Sequence, residues 1–162
     1  MLRSNQSLNK NAGFMLLEAL VSIVIFSVGV LAIVGMQAVA VKVTSDAKYR
    51  SDAALLANQL IGQMWTSNRT QAVLQNNFSG PSGAGYQAWA WSGVGGGGSQ
   101  SAPATGTVLQ ALPGAQANPP TVVISPVTAT ATATSFVTIT IFWQPPNDPD
   151  QHNYVTVAQI GG

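Results

Sequence analysis

Apolar residues form one continuous block near the start of the chain. From Phe14 to Val41 the sequence is apolar apart from Glu18, Gln37 and two serines. A helix over 14–41 would extend about 42 Å at about 1.5 Å per residue, more than the roughly 30 Å hydrocarbon core of a bilayer. The pattern therefore predicts a helix of membrane-spanning length.

The segment that follows Lys42 is amphipathic. Two sets of apolar residues recur there at helical spacings: Leu56, Leu60 and Met64, and Ala47, Ala54, Ile61 and Trp65. Such spacings place each set on one face of a helix. Because the first proline is Pro81, nothing interrupts a helix that runs from Phe14 to about Ser67. We therefore predict one long helix whose second half, residues 42–68, is amphipathic.

Alternation of apolar and polar residues indicates strands in the last third of the chain. In SFVTITIFW (135–143) every second residue from Val137 to Trp143 is apolar. NYVTVAQI (153–160) follows after a turn-rich segment. The two segments are predicted to form an antiparallel hairpin with a long loop.

The shorter segments before the hairpin are assigned by composition. TVLQAL (107–112) and TVVIS (121–125) are candidate strands, and TATATAT (128–134) either extends a strand or forms a surface loop. GPSGAG (80–85) and SGVGGGGS (92–99) are predicted to be flexible loops. The second lacks the Lys-Ser/Thr ending that a phosphate-binding loop needs.

Together these elements predict an α+β fold. The sheet is too small to bury its apolar face alone, so the amphipathic half of the helix is expected to cover it. The predicted order is a polar leader (1–13), a transmembrane half of the helix (14–41), the amphipathic half (42–68), and a head of Gly-rich loops and antiparallel strands (69–162). The order of the strands in the sheet is left open.

The composition excludes several kinds of chemistry. Only 7% of the residues are charged and the net charge is +1, whereas a typical soluble domain is about 25% charged. The chain has no cysteine, which excludes disulfides, thiolate metal sites and cysteine nucleophiles. Residues 70–147 contain no Lys or Arg, so nucleic-acid binding is not expected there.

Two small groups of residues in the head are candidate binding sites. Tyr86, Trp89 and Trp91 form an aromatic cluster that either packs onto the helix or sheet or forms a partner-contact loop. Asp148, Asp150 and His152 alternate, which makes them weak candidates for a calcium site; the other interpretation is a solvated loop. We expect no cofactor, no metal and no catalytic residue, since no motif surrounds the only histidine.

Glu18 is the only glutamate in the chain and lies inside the membrane-length segment. An unpaired carboxylate at the centre of a bilayer costs about 2.5–3.5 kcal/mol. A cleaved secretion signal with AVA (38–40) as its cleavage site is disfavoured, because the apolar region is about twice the usual length and contains an acid. A plain single-pass anchor explains the length but leaves the carboxylate unexplained.

A third interpretation accounts for both Gly13 and Glu18. If the leader is removed after Gly13, Phe14 becomes the N-terminus and carries a free ammonium. Glu18 lies four residues further on and on the same helical face, so the two charges can neutralise each other, within one chain or between packed neighbours. The positive end of the helix dipole also favours an acid at this position.

Residues 10–18, Lys-Asn-Ala-Gly-Phe-Met-Leu-Leu-Glu, resemble the prepilin cleavage and methylation signal of type IV pilins and type II secretion pseudopilins. The usual pattern, Gly-Phe-Thr/Ser-Leu-Ile/Leu-Glu, is matched except at Met15. Two further stretches, 27–37 and 49–64, resemble the PilV family of minor pilins, the type IV pilus modification proteins. The resemblance covers about residues 10–70, and beyond it only the general layout agrees.

The resemblance implies a type IV pilin-like fold and a structural function. A prepilin peptidase would cut after Gly13 on the cytoplasmic side and methylate the amine of Phe14, and Glu18 would pair with an N-terminal amine. Before assembly the subunit would cross the inner membrane once, in contact with lipid, with its head in the periplasm; afterwards it would belong to the pilus. The implied partners are other minor pilins, the major pilin, the peptidase and the inner-membrane assembly machinery.

The leading hypothesis is a minor pilin that initiates or caps pilus assembly, and two alternatives stay open beside it. A type II secretion minor pseudopilin shares the N-terminal signal, although the stretch 27–64 favours the pilus. A tip adhesin or DNA-binding pilus subunit is compatible with the same anchor. No enzymatic activity is expected, since the chain would be the substrate of the peptidase.

Overall fold

The fold was analysed in a computed structural model that describes residues 12–92, 103–126, 134–146 and 148–161. Its first element is helix α1, Ala12–Thr66. The prediction of one uninterrupted helix from Phe14 to about Ser67 is therefore confirmed. Contacts within the described residues separate the chain into two compact units, with the division between Thr44 and Ser45.

Three short helices and three strands follow α1 in the described part of the second unit. The helices are α2 (Gln71–Phe78), α3 (Ala84–Gln87), which continues into a π-helical turn (Ala88–Ser92), and α4 (Val108–Ala111). The strands are β1 (Thr121–Pro126), β2 (Thr134–Trp143) and β3 (His152–Gly161). The chain thus has the predicted α+β layout.

The three strands form one antiparallel sheet in the order β1-β2-β3. The hairpin of β2 and β3 pairs without interruption from Trp143 opposite His152 to Thr134 opposite Gly161. This confirms the predicted hairpin, and β1 confirms the strand predicted at 121–125. Of the low-complexity segment 128–134, only Thr134 is described, as the first residue of β2.

The strand predicted at 107–112 is wrong, because this segment forms helix α4. Val108, Leu109 and Leu112 are buried together, at the spacing of one face of a helix rather than at every second position. A segment of six residues with three large apolar side chains fits both patterns, so its sequence alone does not decide between them.

One hydrophobic core joins the amphipathic half of α1 to the sheet. The helix contributes five buried side chains: Ala53, Leu56, Ala57, Leu60 and Met64. Alternate residues of the sheet face them: Val122, Ile124, Val137, Ile139, Ile141, Trp143 and Ile160. The burial of alternate residues in β2 confirms the alternation read from its sequence.

The sheet covers the two predicted apolar faces of the amphipathic half unequally. Leu56, Leu60 and Met64 are buried in the core as expected. In the second set, Ala47 and Trp65 are exposed, whereas Ala54 and Ile61 are only half-buried. Both sets have helical spacing, and only the position of the sheet determines which face is covered.

The loop predicted at 80–85 is confirmed in part: residues 80–83 form a turn, α3 begins at Ala84, and the glycines are tightly packed. A Cβ atom at Gly83 would overlap the backbone carbonyl of Asn77, and one at Gly85 would lie 2.5 Å from the Phe78 ring. The glycines therefore allow the end of α2 and the start of α3 to approach each other closely. Most of the other predicted loop, 92–99, lies outside the described residues.

A pair of glycine substitutions tests this packing. Gly83→Ala should lower the free energy of unfolding of the head by about 1–3 kcal/mol, because the added methyl group has no space. Gly62→Ala is the control, since no atom lies within 4 Å of a Cβ there and alanine favours a helix by about 1 kcal/mol. Chemical denaturation in detergent micelles should show opposite signs; two changes of the same sign would contradict the packing role of Gly83.

Candidate functional site

The apolar half of α1 is exposed along its entire described length. Every side chain from Gly13 to Thr44 is exposed, including large apolar residues in every turn. The most apolar 18-residue window has a mean hydropathy of 2.7 and is 0% buried. This helix is long and apolar enough to cross a membrane, and its surface requires an apolar environment that the described head does not supply.

Two hydroxyl groups in this half of the helix are bonded to the helix itself. The Ser27 Oγ–H donates to the carbonyl of Ile23 at 2.7 Å, and the Thr44 Oγ1–H donates to the carbonyl of Ala40 at 2.8 Å. Such bonds satisfy hydroxyl groups where water is absent. The two residues therefore add little polar character to the surface of the helix.

Gly13, Phe14 and Glu18 lie in the first two turns of α1. Phe14 and Glu18 are four residues apart on a continuous helix and are both exposed. Their side chains therefore lie on the same face, as the sequence predicts, one turn apart. Residues 1–11, with Arg3 and Lys10 of the predicted leader, lie outside the described residues.

The charge pattern makes Glu18 the unusual residue of this segment. It is the only charged residue in the apolar half, 14–41. A carboxylate in an apolar environment needs a cation at the same depth. The amine that cleavage after Gly13 would create on Phe14 lies within one helical turn. The local arrangement can therefore provide an ion pair.

The structure places two members of the predicted aromatic cluster in the core of the head. Tyr86 donates its hydroxyl hydrogen to the carbonyl of Pro120 at 2.7 Å, and the Trp89 indole N–H donates to the carbonyl of Leu56 in α1 at 2.9 Å. Both side chains are buried, and burial raises the pKa of Tyr86 above the ordinary tyrosine value.

These contacts support the interpretation of the cluster as packing residues. Trp91 is half-buried against the same core. The segment that contains all three residues is helical rather than a loop. Tyr86 and Trp89 bind the short helices to α1 and to the start of β1, and offer almost no surface to a partner.

The structure does not bring Asp148, Asp150 and His152 together around one point. His152 Nε2 lies 3.3 Å from Asp148 Oδ2, and its Nδ1 lies 3.4 Å from Asp46 Oδ1 of α1. Asp150 contributes its backbone N–H, which donates to Asp148 Oδ1 at 3.2 Å. The histidine ring also stacks on Trp143, with centroids 5.8 Å apart.

This cluster links elements of the head to each other. Among the residues that the structure describes, no group of three His, Cys, Asp or Glu side chains is arranged to hold a metal ion. Calcium sites usually need six or more oxygen ligands. The contacts of His152 instead connect the start of β3 to the amphipathic half of α1 through Asp46.

A shallow groove, not expected from the sequence, lies beside the end of α1. Trp65, Thr134, Gln159 and Gly161 line this opening of about 360 Å³. Trp65 is 45% exposed, and the Arg69 guanidinium lies 5.6 Å from the centre of its ring. The lining has no titratable group. Because the lining residues come from distant parts of the chain, no local sequence pattern predicts the groove.

No family model, curated protein or solved structure matches this chain. Its function therefore has to be inferred from its own residues. Of the features described above, the exposed apolar half of α1 with Gly13, Phe14 and Glu18 is the most informative, because it combines a long apolar surface with a single charge.

Proposed function

We propose that this chain is a minor pilin, made as a membrane-anchored precursor and processed after Gly13. The mature subunit joins the minor-pilin complex that initiates or caps a type IV pilus. One observation carries the proposal: Glu18, the only charge in the fully exposed apolar half of α1, lies four residues after Phe14, which follows the Gly13–Phe14 bond. Cleavage of that bond creates the cation that Glu18 needs.

The surface of the apolar half suits two successive environments. Before assembly, lipid covers the exposed apolar side chains between Phe14 and Val43. In the filament, the same side chains pack against the helices of neighbouring subunits. Extraction from the membrane therefore exchanges one apolar environment for another, and the hydrophobic contribution changes little. The pairing of Glu18 with an N-terminal amine is what favours the filament.

The head is consistent with a pilin-like fold. The amphipathic half of α1 covers one face of a three-stranded antiparallel sheet, and the short helices contribute side chains to the same core. Such a head is a small folded body attached to an anchor helix. In the proposed function it lies in the periplasm before assembly and on the outside of the filament afterwards.

A type II secretion minor pseudopilin is the nearest alternative function. Its N-terminal signal would be the same, so Gly13, Phe14 and Glu18 do not distinguish the two. The stretches 27–37 and 49–64 favour the pilus, because they resemble minor pilins of the PilV family. Recovery of the protein in pili sheared from the cell surface supports the pilus; its requirement for protein secretion supports the alternative.

Mass spectrometry of the mature protein tests the processing step. The chain should begin with N-methylated Phe14, because a prepilin peptidase cuts after Gly13 and methylates the new amine. Gly13→Val should leave the leader attached. Gly29→Val is the control, since Gly29 lies in the same helix with nothing within 4 Å of a Cβ, and it should be processed normally. A mature N-terminus at Val41 would show that the segment is an ordinary secretion signal instead.

A further inference from the structure

The two outer strands of the sheet differ in how their edges are protected. Strand β1 has six residues and ends at Pro126. On its outer side, the side-chain amide of Gln75 in α2 donates to the carbonyl of Ile124 at 3.0 Å. A short strand, a proline and a covering helix are the usual means by which proteins block an edge. The β1 edge is therefore closed to further strands.

Strand β3 has none of these protections among the described residues. It has ten residues and pairs with β2 along its whole length without a bulge. From Asn153 to Gly161 it contains no proline and no charged residue. No described residue hydrogen-bonds to the backbone on its other side. A long, regular and neutral edge is the type of edge that pairs with another strand.

The solvent-facing side of the sheet shows what the side chains of such a strand would contact. Val155 and Val157 of β3 are 52% and 60% exposed. Val157 lies opposite Thr138, which in turn lies opposite Val123, so one cross-strand row is formed by valine and threonine. This part of the surface has no charge with which to select a charged partner.

We propose that the outer edge of β3, to which no described residue hydrogen-bonds, is a docking site for an extended segment of a different protein, which adds a fourth strand to the sheet. Unpaired backbone N–H and C=O groups spaced along a strand are matched by another extended backbone. The neutral surface of Val155 and Val157 favours a segment with uncharged, β-branched side chains at alternate positions. This site is in the head and does not depend on the proposed pilus function.

Amide hydrogen exchange with a defined peptide tests the site. The probe is a capped peptide of alternating Thr and Val with one Lys at its C-terminal end for solubility, added to the full-length chain in detergent micelles. Amides of Asn153–Gly161 that point away from β2 should exchange rapidly without peptide. They should exchange about tenfold more slowly at a peptide concentration ten times the Kd. The same peptide with N-methyl groups on every amide should give no protection, because neither of its edges can then donate hydrogen bonds to β3.

Two lysine substitutions in one cross-strand row distinguish the edge from the face. Val157→Lys places a charge on the open edge strand and should weaken peptide binding at least tenfold. Val123→Lys is the matched control, because Val123 lies in the same row and is 58% exposed, but on the closed strand β1. It should leave binding unchanged.

Three results would overturn the proposal. Slow exchange at the β3 edge without peptide would mean that another part of the chain covers it. Protection that increases with protein concentration alone would identify a second copy as the occupant. Equal loss of binding with Val123→Lys and Val157→Lys would mean that the peptide lies on the face of the sheet and not along its edge.

Discussion

Replacing Glu18 by Ala should leave the protein in the membrane and keep it out of the filament. The substitution removes the only charge of the apolar half, so insertion into lipid becomes more favourable, by at most about 2.5–3.5 kcal/mol, the cost of a charge at the bilayer centre. It also removes the carboxylate that pairs with an N-terminal amine. Both effects act against assembly. Because about 1.4 kcal/mol corresponds to a factor of ten, we expect the amount of this protein in filaments to fall at least tenfold.

The ratio of the protein in sheared filaments to that in membranes is the quantity to measure. Glu18→Gln should behave like Glu18→Ala, because the amide keeps the size of the side chain but not its charge. Ser22→Ala is the matched control, since Ser22 is polar and exposed, one turn further along the same face. Normal incorporation of Glu18→Gln would show that the charge is not needed and would contradict the pairing hypothesis.

Replacing Leu60 by Ala should destabilise the head by about 2–5 kcal/mol. Leu60 is 0% exposed and lies on the face of α1 that packs against the sheet. Its removal leaves a cavity between helix and sheet, where the surrounding side chains cannot close the space completely. A loss of this size is a large part of the roughly 5–15 kcal/mol that stabilise a typical domain.

The matched control for Leu60 lies in the same helix. Leu55 is 69% exposed, so Leu55→Ala should change the free energy of unfolding by less than about 0.5 kcal/mol. Urea denaturation followed by tryptophan fluorescence suits the measurement, because Trp89 and Trp143 are buried in the same core. If both leucine variants were equally stable, the face of α1 that the structure assigns to the core would be wrong.

The pattern of burial divides α1 into an exposed apolar segment and a segment that belongs to the core of the head. No side chain from Gly13 to Thr44 is buried, whereas burial begins at Ser45 and reaches the core at Ala53. The first segment has no cover among the described residues, and the second packs against the sheet. A substitution such as Glu18→Ala should therefore affect assembly without loss of head stability, and Leu60→Ala should show the reverse.

Much of the head could not be predicted from local sequence patterns. Helix α2 was not predicted, although Leu74 and Phe78 have the four-residue spacing of a helical face and are both buried. The glycines of 80–85 predict a flexible loop by composition, although they lie in a tight turn and at the start of α3. Glycine permits both a flexible loop and a close approach of two backbones, and its sequence context does not distinguish them.

The sequence by itself determined the long helix, its membrane-length apolar half, the hairpin of β2 and β3, and the helical spacing of Phe14 and Glu18. These features depend on residues close together in the chain, where the period of the pattern is set by the geometry of a helix or strand. Only the tertiary structure decided which face of the amphipathic half is buried, that Gln75 bonds to β1, and that no described residue hydrogen-bonds to the outer edge of β3. Each of those depends on contacts between residues far apart in sequence, which no local period encodes.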